Sequence, residues 1–249
     1  MVSRKEIKFE KFTPYHVLSR TVEKRKIFVN ENDCLRFIFQ MYVANIGKPA
    51  FNLYRRDVIK AGQAILAGEE PPKELIIVEH PSLVNFLSFA LVIDHYHFEL
   101  VPNVKNGIPK YMQKLNGGFA KYFNLKHNRE GNLFDRPYKI IPIQTNFQLD
   151  AVLRYINVKN PLDVYQPGWR EKSLRDWQKA FKFLENYQFS SFPDLFGKRN
   201  SKILAPGSVI EQYLGKEIRV NREEFTNFIK AYLQEKMVSF YHLFLEDTV

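Results

Sequence analysis

Cysteine is nearly missing from this chain. Cys34 stands alone among 249 residues, which excludes an internal disulfide framework and any site where several thiolates grip a metal. It lies in an apolar-periodic stretch after Asn30-Glu31-Asn32-Asp33 and reads as a packed helix residue in a reducing compartment. Glycine is sparse, at 11 residues, and forms neither a Walker loop nor a dinucleotide fingerprint. No apolar run reaches the roughly 18 residues that a membrane helix needs. The opening Met1-Val2-Ser3-Arg4-Lys5-Glu6 does not look like a secretory leader, so a cytoplasmic protein without a membrane partner is expected. Acid is in deficit, with 27 Asp and Glu against 37 Lys and Arg, a net charge of +10.

That surplus favours an anionic polymer as ligand. Interleaved with it are 13 Tyr and 22 Phe, side chains that stack on unpaired bases, although many must instead fill a core. The length suffices for one good core and a small second one.

Read for periodicity, the chain is α+β. Residues 14–22 have strand composition, and Asn32 or Asp33 is placed to cap a helix running to about Ala44. Residues 45–82, with Gly47, Pro49 and Gly68-Glu69-Glu70-Pro71-Pro72, read as an insertion carrying one helix. Residues 83–93 and 95–102 read as adjoining strands, turning at Asp94 or near Asn85. Residues 107–123 place Ile108, Met112, Leu115, Phe119, Tyr122 and Phe123 on one helical stripe. A strand over 133–143 follows, then a helix over 147–158 that Pro161 should stop. Helical periods over 169–184, 206–214 and 222–244 complete the chain. The expected organisation is a catalytic unit in 1–165, with the 45–82 insertion, and a helical C-terminal region in 166–249.

The sharpest chemical signal is Asp94-His95-Tyr96-His97-Phe98. Alternation in a strand puts His95 and His97 on one face with Glu99, and Tyr96, Phe98 and Leu100 on the other. Two neighbouring imidazoles can hold a divalent metal, or can simply be hydrogen-bonded residues of a half-buried strand.

Several fragments, taken in order, resemble a known family: Tyr15-His16-Val17-Leu18-Ser19-Arg20; His95-Tyr96-His97; residues 112–124, with Asn116-Gly117-Gly118-Phe119; Gly131-Asn132-Leu133-Phe134-Asp135-Arg136-Pro137-Tyr138-Lys139; Arg154-Tyr155-Ile156; Asn160-Pro161; and residues 187–192. In this combination the chain resembles the single-tyrosine HUH transposases, and within them the REP-associated branch. The resemblance spans most of the chain apart from 45–82 and the last thirty or so residues. It implies a ferredoxin-like antiparallel sheet flanked by helices, to which the helical periods beyond residue 165 add a helical C-terminal extension. It further implies cleavage and rejoining of single-stranded DNA beside hairpins through a 5′-phosphotyrosine, with Mg²⁺ or Mn²⁺; relatives include monomers and homodimers.

Carried over residue by residue, the resemblance makes Tyr155 the nucleophile, ahead of Tyr111, Tyr122 and Tyr138, and His95 and His97 metal ligands. Two departures stand out. Relatives carry Asn or Gln four residues beyond the tyrosine, where this chain has Lys159, with Asn160 one further. Either the helix bulges by one residue and Asn160 becomes the third ligand, or that ligand is lost. Asp94 stands where an Asn commonly precedes the first histidine, and reads as a turn residue. The DNA-binding set is expected to be Arg20, Lys24, Arg25 and Lys26, then Lys114, Lys121 and Lys126, then Arg136, Tyr138 and Lys139, the middle three being equally readable as a solvated helix face. Loss of the third ligand would leave a DNA-hairpin-binding protein without cleavage. A metal-dependent RNA-processing nuclease is a further alternative.

Overall fold

The computed structural model describes residues 9–51, 55–172 and 174–215, together with Glu223, Asn227 and 243–245. Its strands are β1 (Tyr15–Arg20), β2 (Gly47–Pro49), β3 (Ile76–Val78), β4 (Val84–Val92), β5 (His95–Pro102) and β6 (Lys139–Pro142). Its helices are α1 (Glu31–Ile46), α2 (Arg55–Ala67), α3 (Gly107–Lys126), α4 (Asn146–Arg154), α5 (Asn160–Tyr165), α6 (Trp169–Lys172), α7 (Trp177–Asn186), α8 (Phe192–Leu195) and α9 (Gly207–Leu214), with a π-helical turn over Tyr155–Lys159 between α4 and α5.

β1, α1, β4, β5, α3 and β6 form the β-α-β-β-α-β series of a ferredoxin-like fold, in a sheet ordered β4-β5-β1-β6 with antiparallel pairing throughout. The pleat divides the core in two. Tyr15, Val17, Tyr96, Phe98 and Leu100 pack with Phe37 of α1 and Met112, Leu115 and Phe119 of α3. On the reverse face Ala90 and Val101 pack with Val152, Tyr155, Ile156 and Leu162, and with Phe181 and Leu184 of α7. The chain beyond α7 runs beside edge strand β4, where the Leu91 amide donates to the Phe189 carbonyl and the Ser191 amide to the Phe89 carbonyl. The insertion adds the small β2–β3 sheet to its helix, α2.

Several boundaries differ from expectation. The cap of α1 is Asn30, whose side chain accepts from the Asp33 amide, because a cap needs the extended backbone that Asn30 has and that Asn32 and Asp33, inside the helix, lack. Asp94 sits in the two-residue turn between β4 and β5. The strand over 133–143 shrinks to β6, since Pro137, which lacks an amide donor, interrupts the ladder just before it. Pro161 does not end the helix: it falls in the first turn of α5, where a missing N–H is tolerated. The helix over 169–184 divides into α6 and α7, with Asp176 capping the second. The helix over 222–244 lies largely outside the described residues.

Candidate active site

β1 and β5 place three histidines on one face. Register pairs His16 with Glu99, Leu18 with His97 and Arg20 with His95. The ring centroids of His95 and His97 are 5.2 Å apart, and those of His16 and His97 are 5.1 Å apart, nearly parallel. Across from them the π turn presents Tyr155, its ring 5.5 Å from His97 and 6.0 Å from His16. His16, His97 and Tyr155 are fully buried and His95 nearly so.

Both expected ligands are oriented by hydrogen bonds. His95 Nδ1 donates to Asp94 Oδ1 at 2.5 Å, so the turn aspartate is also the carboxylate that steers this ring. Burial alone would raise the Asp94 carboxyl; the hydrogen bond from His95 and the nearby charge of Arg20 hold it below the ordinary range. His97 Nδ1 lies 2.8 Å from His16 Nε2. Glu99, below the histidines on the same face, is pushed up to about 8 by burial, against the hydrogen bond donated by Ser88 Oγ.

The π turn decides the fate of the two residues after Val158. Its closing hydrogen bond runs from the Asn160 amide to the Tyr155 carbonyl, five residues back, so Asn160 follows Tyr155 by one full turn of this wider helix. The Asn157 side chain is engaged, donating to the Leu153 carbonyl and accepting from Ser191 Oγ. Asn160 is fully buried, and among the described residues neither atom of its side-chain amide has a hydrogen-bond partner. Lys159 is turned aside: its ammonium pairs with Asp163 at 2.8 Å and sits 5.2 Å from the centre of the Tyr155 ring.

A distant segment closes the recess. Phe244 stacks on Tyr155 at 4.3 Å with 4° between the planes, and its carbonyl accepts from the Tyr155 hydroxyl at 3.2 Å. The Leu243 carbonyl lies 2.5 Å from His16 Nδ1, and the Leu245 carbonyl accepts from Lys139 Nζ at 2.8 Å. Three consecutive carbonyl oxygens thus meet three groups of the site. Sequence periodicity assigns 243–244 to a helix and carries no hint of this contact.

The expected DNA-binding residues separate into groups. Lys24, Arg25, Lys26 and Arg136 are exposed, and Arg20 is half-buried beside Asp94. Lys114 pairs with Glu79 of the insertion at 3.0 Å, and Lys126 pairs with buried Asp33 of α1. These two lie with exposed Lys121 on α3, on the far face of the sheet from the histidines, because the α3 stripe packs against Tyr96 and Phe98. Tyr138, 7% exposed, belongs to that far core. Tyr111 and Tyr122, competitors for the nucleophile, also lie on α3, their hydroxyls donating to the Met41 carbonyl and to Asp33. His16, which is not among the expected site residues, joins the site through its contacts with His97 and the Leu243 carbonyl.

Residues 73–159 match the family described as transposase, IS200-like. Among curated proteins none matches. A solved structure of a REP-associated tyrosine transposase bound to a REP hairpin is similar over 83% of this chain and 92% of that one, with 12% identity and a TM-score of 0.45. Among the described residues no helix is long and apolar enough to cross a membrane.

Proposed function

We propose, from the match of residues 73–159 to the IS200-like transposase family, that this chain cleaves and rejoins single-stranded DNA beside a hairpin, with Tyr155 as nucleophile. The phenolic oxygen bonds to the scissile phosphorus, the bond to the 3′ oxygen breaks, and the phenolic proton ends on the released 3′-hydroxyl. The 5′ side is retained as phosphotyrosine, which keeps the phosphodiester energy, so another 3′-hydroxyl can reverse the step without ATP. The observation that carries this reading is the packing of the Tyr155 ring against His97 and His16 in one recess.

The residues fit a divalent ion. His95 and His97 are each hydrogen-bonded through Nδ1, the arrangement that orients imidazole ligands, and the Asn160 amide has no other partner among the described residues. Two imidazole nitrogens and one amide oxygen would hold Mn²⁺, and less readily Mg²⁺, which prefers oxygen throughout. When bound, the ion polarises the phosphate, help that a phenol titrating near ~10 requires. Lys24, Arg25, Lys26 and Arg136 would contact phosphates and fix the strand's position without reading its sequence.

A second reading, hairpin binding without cleavage, is favoured by the Phe244 cap on Tyr155 and by Lys159 at the position four beyond it. The two readings part on a covalent adduct. With labelled single-stranded hairpin oligonucleotides and Mn²⁺, the chain should yield a denaturation-resistant protein–DNA band that Tyr155→Phe abolishes while leaving binding nearly intact. Absence of the band from the parent chain, or its survival in Tyr155→Phe, overturns the assignment.

A further inference from the structure

The two nitrogens of an imidazole are different groups, and the partner of one decides what the other can do. His16 is occupied at both ends: Nδ1 by the Leu243 carbonyl and Nε2 by His97 Nδ1. A carbonyl oxygen only accepts, so His16 Nδ1 carries the hydrogen, and in the neutral ring Nε2 is then the lone-pair nitrogen. His16 Nε2 must therefore accept from His97 Nδ1–H, which leaves the lone pair of His97 on Nε2. His95 reaches the same tautomer by another route, because the Asp94 carboxylate accepts from its Nδ1. The carboxylate and the backbone-anchored imidazole impose one protonation pattern on both rings, the one in which Nε2 can donate to a cation.

We propose that His16 is a positioning residue: it sets the tautomer and ring angle of His97 as Asp94 does for His95, and is not itself a ligand, since both its nitrogens are engaged. This rests on the reading of His95 and His97 as metal ligands. A packing role alone does not account for the choice of residue. His16 is fully buried, and an imidazole out of water is unfavourable unless its polar nitrogens are bonded, whereas Phe or Leu would fill the space with no such demand.

The full chain is tested in two ways. Imidazole ¹⁵N spectra of the metal-free parent should show hydrogen on His97 Nδ1 and none on Nε2; the opposite tautomer overturns the proposal without any substitution. Calorimetric titration with Mn²⁺ then compares three variants. His16→Phe keeps the ring volume but cannot accept, and should weaken Mn²⁺ by 10- to 100-fold, the range for loss of a partner that orients a ligand. His16→Gln can accept through Oε1 and donate to the Leu243 carbonyl through Nε2, and should bind close to the parent. His97→Ala should lose binding outright. Parent-like affinity in His16→Phe, with His97→Ala impaired, overturns the role of His16 alone. Equal loss in His16→Gln and His16→Phe makes His16 a direct ligand and overturns it too. Parent-like affinity in His97→Ala removes the ligand reading and this proposal with it.

Discussion

Phe244 is the residue whose removal should change most. Its ring is fully buried against Tyr155 and its carbonyl receives the tyrosine hydroxyl, so a strand that reaches the phenol must first displace it. Burying a phenylalanine contributes about 1.5–3 kcal/mol, and an aromatic pair adds about 0.5–1.5 kcal/mol. Phe244→Ala retains all three backbone carbonyls and loses both contributions, so the covered form should weaken by about 3 kcal/mol, or roughly 150-fold in the covered-to-open ratio. Apparent affinity scales with the fraction of open molecules. While the parent is mostly covered, Kd for a labelled hairpin with single-stranded flanks should therefore fall by up to about 150-fold in fluorescence anisotropy, and the yield of the Tyr155 adduct should rise with it. An unchanged Kd, with the variant folded by circular dichroism, would refute the idea that 243–245 and DNA compete for one surface.

Asn160→Ala should weaken Mn²⁺ in calorimetry without lowering Tm, because the amide it removes is buried with no partner among the described residues, a state that costs about 1–3 kcal/mol; a lowered Tm with unchanged Mn²⁺ affinity makes Asn160 structural. Glu99, raised to about 8 from 4.5 by burial, holds its proton in the folded chain at pH values where the unfolded chain has released it. Its contribution to stability therefore falls as pH rises from about 4.5 to about 8 and is flat above that; Glu99→Gln should remove this decline in urea melts, and an identical slope in both chains would contradict the shift. Binding should favour a hairpin with unpaired flanks over blunt duplex of equal length and should weaken steeply with salt as counterions are released, whereas equal affinities at matched ionic strength would point to nonspecific duplex binding.

What was legible in the sequence was whatever depends on local period. The alternation that sorted His95, His97 and Glu99 from Tyr96, Phe98 and Leu100 holds in β5, and the α3 stripe packs as its spacing indicates. Tyr155 was singled out by motif, and the one-residue bulge was one of two alternatives that spacing left open. What escaped notice depends on partners far away in the chain. His16 acquires its role from His97, 81 positions on, and from Leu243, 227 positions on. Lys114 and Lys126 look like a solvated basic face until Glu79 and Asp33 arrive from other elements. The sequence puts the Asp94 carboxylate beside the site, but its contact with the neighbouring ring depends on the rotamer, which composition does not specify.

The π turn carries a consequence for how the chain tolerates changes in length. Each residue of an ordinary helix advances the chain by about 100°, so an extra residue after Tyr155 would swing all of α5 round the axis and carry Leu162 away from the interior. The wider turn takes up the extra residue where it occurs: the Asn160 amide still closes on the Tyr155 carbonyl, and Leu162 stays fully buried. Residue count and angular phase are uncoupled at this one place. Removing one residue between Tyr155 and Asn160 should therefore restore an ordinary turn with the same amide one turn beyond the phenol, while α5 keeps its orientation.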